Sequence, residues 1–146
     1  MLRLSFPTQE EDCSRSLLAL DLWTNEGTEI NLSEELGIES GDMHRMAETA
    51  EWLIYSLREL SREFRREDLV KELDILRKRI VYGIKHELID LVRIRNVGRV
   101  RARILYKNGY KNRTALKKAP LEKLAEIDKI GMTIAKSIKS QVEKVR

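Results

Sequence analysis

The chain has 146 residues, of which 42% are hydrophobic, 36% charged and only 5% aromatic, with a formal net charge of +4. That content can build a core in one compact domain or two small ones, and its balance favours a strongly solvated helical protein over a β-sandwich. A single cysteine, Cys13, excludes an intrachain disulfide, and no apolar run or leader-like start points to a membrane, so a soluble, cytoplasmic protein is expected.

Thr8 followed by Glu11 makes a capping-box pattern, which predicts a helix through SRSLLALDLW closed by Gly27. A short helical turn is expected around Ser33–Leu36. Ser40-Gly41-Asp42 then opens the longest helix, MHRMAETAEWLIYSLRELSREF. Along it Met46, Trp52 (or Leu53), Ser56, Leu57 and Leu60 recur every three to four residues as the apolar stripe. Leu69, Leu73, Leu76 and Ile80 mark a further amphipathic helix ended near Gly83, and Ile84, Leu88 and Leu91 mark another. No segment alternates with period two. The expected class is all-α, without a sheet.

Charge is divided unevenly along the chain. Residues 1–92 hold 12 Lys+Arg against 20 Asp+Glu, a balance of −8, whereas residues 93–146 hold 16 against 4, a balance of +12. So large a positive excess repels itself unless an anion offsets it, which implies two modules with different partners. The expected division is an acidic helical part over residues 1–83 and a basic part over residues 84–146.

The basic part repeats itself. Leu91, Ile94, Val97, Gly98, Ala102 and Leu105 recur 33 residues later as Leu124, Ile127, Ile130, Gly131, Ala135 and Ile138. The pattern reads as helix, tight turn, helix. A glycine lets the backbone turn sharply and approach a ligand, and the alanine is small enough for paired helices to touch. Amides at the start of the second helix lack intrahelical partners and form an anion site that suits a phosphate. Between the copies Asn108-Gly109 is the expected turn, and Pro120 the expected first residue of a helix over LEKLAEI.

This pattern resembles the helix-hairpin-helix motif of DNA-binding proteins, in tandem over residues 84–146. The usual turn has two glycines around an aliphatic residue; here the first of them is replaced by Asn96 in one copy and Lys129 in the other. Asparagine tolerates a left-handed backbone, and lysine does so poorly. The flanks differ in the same sense, because Met132, Thr133 and Ile134 stand where the first copy has Arg99, Val100 and Arg101. The first hairpin, through Arg95, Asn96, Val97, Gly98, Arg99, Arg101 and Arg103, is therefore expected to grip the DNA backbone. The second, with Lys129, Gly131 and Thr133, is expected to bind more weakly and mainly to complete the fold.

Upstream, ESGDMHRMAETAEWLIYSL followed by IVYGIKHELIDLVRIRNVGRVRARILYKNGY is similar to the C-terminal region of archaeal Hel-type (Hjm) superfamily-two DNA helicases. The similarity covers most of residues 17–146, and residues 1–16 match nothing in that pattern. It implies a helical ratchet domain followed by a helix-hairpin-helix domain, without the motor domains. It also implies that an arginine and a tryptophan seven residues on, here Arg45 and Trp52, stack on bases of a single strand. Seven residues of helix put both on one face about 10 Å apart, and stacking is sequence-tolerant because every base has a π-face. A lone tryptophan on an amphipathic helix also suits a core.

Other chemistry is missing from the sequence. There is no G-x-x-x-x-G-K-[ST] phosphate loop, so the chain is not expected to hydrolyse ATP by itself or to carry a cofactor. It reads either as the tail of an ATP-dependent DNA helicase or as a free-standing relative that kept the DNA-handling part, and Met1 favours the latter. His44 and His86 have no partners at ligand spacing, so no metal site is expected. Asp128 has no catalytic context, and no catalytic residue is assigned. The expected partner is DNA, single-stranded or forked and bound without sequence preference, together with a helicase motor or a repair or replication protein. The alternative is a protein-interaction module, whose acidic half docks on a basic partner or covers the basic tail.

Overall fold

Nine α-helices and one 3₁₀ turn account for the secondary structure of residues 9–144, the part described by the computed structural model, and no strand occurs among them. Thr8, the cap of the Thr8–Glu11 pattern, lies outside the described residues. The chain divides into two units, residues 1–83 and residues 84–146. No helix of the described residues is long and apolar enough to cross a membrane.

The first unit holds α1 (Gln9–Thr24), α2 (Glu29–Leu36), α3 (Ser40–Glu63) and α4 (Glu67–Tyr82). Helix α1 stops because Glu26 turns left-handed, φ 70°, which lets Glu26 N–H reach the Trp23 carbonyl and Gly27 N–H the Leu22 carbonyl at 2.8 Å. A Cβ on Gly27 would stand 2.8 Å from that same Leu22 oxygen, so a glycine is needed for the close approach. The short turn expected at Ser33–Leu36 is a two-turn helix, since Thr28 and Asn31 form a reciprocal capping box at its start.

Ala19, Leu32, Ile38, Met43, Ala47 and Ile80 form the core of this unit, with Leu22, Trp23, Ala50 and Ile54 packed against it. Trp23 donates its indole N–H to the Ile80 carbonyl at 2.7 Å, fixing α1 against the end of α4. Arg77 joins α4 to α3 through Glu51, at 2.8 Å, and lies 5.4 Å over the Tyr55 ring. The apolar stripe expected on α3 is corrected here. Its buried face is Met43, Ala47 and Ser61, continued by the half-buried Met46, Ala50 and Ile54. Met46 alone of the expected stripe thus faces the core, whereas Trp52, Leu53, Ser56, Leu57 and Leu60 are exposed. Small side chains let the neighbouring helices approach closely, so the alanine face is the one that is buried.

The second unit runs from a 3₁₀ turn (His86–Leu88) through α5 (Ile89–Val92), α6 (Arg99–Lys107), α7 (Arg113–Lys118), α8 (Leu121–Ala125) and α9 (Gly131–Lys144). The single helix expected over Ile84, Leu88 and Leu91 is thus a 3₁₀ turn followed by one short α-turn. Pro120 precedes α8 as its cap, with ψ 142°, and does not begin it. Ile84, Leu88, Leu91, Ile94, Leu105, Leu116, Leu124 and Ile138 are almost wholly buried. Among the repeated positions only Ile127 is half-buried and the two glycines surface-exposed, so the repeat marks one shared core. Side chains close the helix ends around it. Asp90 accepts from Arg113 N–H at 2.8 Å, Asn112 from Ala115 N–H at 2.8 Å, and Lys139 donates to the Lys117 and Ala119 carbonyls at 2.7 and 3.0 Å.

Candidate nucleic-acid interface

Ile94 and Val97, both buried, anchor the first turn, and Val97 N–H closes it on the Ile94 carbonyl at 3.0 Å. The left-handed residue is Asn96, φ 69°. Gly98, expected to make the sharp turn, instead caps α6 in an extended conformation, φ −86° and ψ −174°. A Cβ there would meet nothing within 4 Å, so Gly98 leaves the surface open without being demanded by the turn. The second turn closes in the same way, with Ile130 N–H on the Ile127 carbonyl at 3.1 Å. Here Lys129 is left-handed, φ 60°, and Gly131 also, φ 59°. Buried Ile130 overrides the lysine's reluctance, which is worth about 1–2 kcal/mol.

Around the first turn Arg95 is exposed, whereas Arg99, Arg101 and Arg103 are half-buried. Arg101 and Arg103 are engaged within the unit. Arg101 Nε–H donates to the Lys129 carbonyl at 2.8 Å and its Nη1 to the Asn96 carbonyl at 3.0 Å. Arg103 pairs with Glu87 at 2.9 Å and lies 5.2 Å over the Tyr106 ring, and its hydrogen bond holds the Glu87 carboxyl below the usual glutamate range. Gly98, Arg99, Val100, Arg101 and Lys129 line a groove of about 580 Å³, so both turns contribute to one surface. Thr133, the third residue of α9, is exposed.

Gln141 on α9 is a member of this site that sequence reasoning did not find. Its Oε1 accepts from Arg95 N–H at 2.8 Å, and its Nε2 donates back to the Arg95 carbonyl at 3.2 Å. Beside it, Asn96 donates its side-chain amide to Ser137 Oγ at 3.4 Å. Nothing in the local pattern signals these contacts, because the partners lie more than 40 residues apart.

On α3, Arg45 and Trp52 are both exposed, Trp52 at 65%, and Arg45 pairs with Asp42 on its own helix. A groove of about 580 Å³ opens beside Arg45 between α1 and α3, lined among others by Leu20, Ile38, Met46 and Leu53. Leu57 and Leu60 continue the exposed apolar line down α3, and Phe64 follows at its C-cap. Among the described residues no cluster of His, Cys, Asp or Glu is placed to hold a metal ion.

Comparison with known proteins divides the chain near the same point. Residues 8–83 match the family described as archaeal helicase, domain 4, and residues 90–145 match the helix-hairpin-helix motif. The first match begins at residue 8, nine residues closer to the N-terminus than the sequence similarity traced above. The ATP-dependent DNA helicase Hel308 of Pyrococcus horikoshii is 38% identical over 125 residues, which cover 85% of this chain and 18% of that protein. Hel308 of Caldivirga maquilingensis is 37% identical over 147 residues, covering 97% of this chain and 19% of that protein. Hel308 of Thermococcus kodakarensis is 38% identical over 117 residues, covering 80% and 10%. The chain thus spans a fifth or less of the length of these relatives.

Proposed function

The chain belongs to the archaeal Hel308-type helicase family, of which it carries the domain 4 and helix-hairpin-helix regions, and from that premise we propose that it is a DNA-handling module that binds the backbone without reading sequence. The observation that carries this is the groove shared by the two turns, with Arg99, Lys129 and the start of α6, which no side chain caps, around it. Backbone amides at a helix start and neighbouring cations suit phosphate oxygens, and neither reads a base edge. The 146 residues contain no phosphate loop, so ATP hydrolysis is not expected of them alone.

The test is DNA affinity against salt for the wild-type chain and for Arg95→Ala/Arg99→Ala. Two lost phosphate contacts should reduce the slope by about 1.8 on duplex, or about 1.4 on a single strand. An unchanged slope would remove these arginines from the contact. DNA-stimulated ATPase activity in the pure chain would overturn the reading as a whole.

A second contact is supported by the exposure of Trp52. With Arg45 on the same face of α3, it offers a ring and a cation to the bases of a single strand. The exposed line of Leu53, Leu57, Leu60 and Phe64 beside it favours a protein partner, such as a helicase motor, on the same helix. Charged substitution of Leu57 and Leu60 should then weaken a motor's hold on the chain while sparing DNA binding by the chain alone.

A further inference from the structure

Arg101 turns its donors inward. The two carbonyls it reaches, those of Asn96 and Lys129, belong to the left-handed residues around which the two turns are built. They are the same atom of each copy, 33 residues apart in the sequence. A planar guanidinium presents its N–H groups in a rigid fork, so accepting bonds from one fork fixes the spacing of both carbonyls in a way that a flexible ammonium cannot. The equivalent residue of the second copy, Ile134, has no donor, so this link runs from the first hairpin to the second. Lys129 lies on the groove that the linked turns share.

We infer that Arg101 is a positioning residue: by tying the Asn96 and Lys129 carbonyls together it holds the two turns in one register, and the turns engage the DNA backbone as a single two-point grip. The inference rests on the DNA-binding reading above and alters its division of labour, because the second hairpin becomes part of the grip. When the first turn is seated on a phosphate, the second meets its own phosphate at the effective concentration set by the link. If the register is lost, the second contact is lost with it, although no charge has been removed.

A double-mutant cycle on the full chain tests this, using a mixed-sequence duplex long enough to reach both turns. Arg101→Lys keeps the charge and breaks the fork. Lys129→Gly removes the second turn's cation, and glycine accepts φ 60° without strain. Arg101→Lys is expected to weaken binding about ten-fold or more, as loss of one arm of a two-point contact does. Lys129→Gly is expected to weaken the wild type several-fold and to have no further effect in the Arg101→Lys background, within the error of additivity. Melting curves are recorded alongside; if Arg101→Lys melts early, Arg101→Gln, which keeps an amide donor but loses the charge, is read in the same cycle below its own melting point, where only the coupling to Lys129→Gly is compared. Binding by Arg101→Lys close to that of the wild type, or two effects that simply multiply, overturns the inference and leaves the DNA-binding reading standing. A wild-type chain that binds no duplex overturns both.

Discussion

At Gly83 the backbone is left-handed, φ 60°, and a Cβ would stand 2.5 Å from the Trp23 ring. Gly83→Ala should therefore lower stability by about 2 kcal/mol or more, from the left-handed strain and the overpacking together, as a urea melt would show. Trp23→Ala should lower it by about 3 kcal/mol, because a large ring and its hydrogen bond to Ile80 are both lost. Trp52→Ala should behave differently. Being 65% exposed, it should leave stability within about 0.5 kcal/mol. Single-strand affinity should fall by about 1–3 kcal/mol with the salt slope unchanged, since stacking releases no counterions. A melting temperature that drops in step with binding would make Trp52 a packing residue. Both tryptophans lie on helices and look alike by residue type; burial separates them, since Trp23 packs on the core and Trp52 is exposed. Glu87 adds a pH dependence. Its carboxyl is held low by Arg103, so its contribution to stability is complete above the ordinary glutamate range and is lost as pH falls through the lowered value. Melting temperatures taken from neutral into acid should show Glu87→Gln with a flatter acid limb than the wild type.

At the scale of elements, the 33-residue repeat was readable because its buried positions are spaced by the same two-helix unit in both copies. The details of each turn were not. Asn96 announces a left-handed residue by its chemistry, but Lys129 is driven there by the packing of its neighbours, which no local pattern records. Gly98 is a helix-start glycine and not a turn glycine, and the two look alike in sequence. The two should now separate experimentally. Gly131→Ala should lower stability by about 1–2 kcal/mol through its left-handed backbone. Gly98→Ala should disturb the fold less and DNA binding more, because its methyl would point into the groove; thermal melts and titrations on the same two variants decide. Helix α3 was ambiguous for a further reason. It carries two apolar lines, Met43–Ala47–Ala50–Ile54 and Leu53–Leu57–Leu60–Phe64, both at helical spacing. Periodicity finds the helix and leaves the choice of face to the helices that pack on it.

For the whole molecule the division of charge follows the division of structure. Residues 1–83 hold 11 Lys+Arg against 18 Asp+Glu, a balance of −7, and residues 84–146 hold 17 against 6, a balance of +11. The all-α class was legible from composition and helical periodicity, because each is a property of many residues at once. The acidic unit adds a repulsive long-range field for any polyanion. Residues 84–146 alone should accordingly bind duplex DNA at least as tightly as the full chain, with the difference shrinking as salt rises. A single strand should reverse the order if Trp52 stacks on it. If the full chain is tighter on duplex and single strand alike, the acidic unit contacts DNA by a route that charge does not describe.

The latch between Gln141 and Arg95 makes one amide a gauge. The Arg95 N–H sits in an exposed turn, where hydrogen exchange with solvent is normally fast, yet it is bonded to a side chain on α9. It can exchange only when that side chain lets go, and Gln141 is also held by Ser137 on its own helix. Protection at Arg95 therefore reports the free energy of opening between the first turn and α9, not the local stability of a loop. Followed at this single position, exchange would show whether a bound polyanion tightens the unit as a body or only the turn it touches.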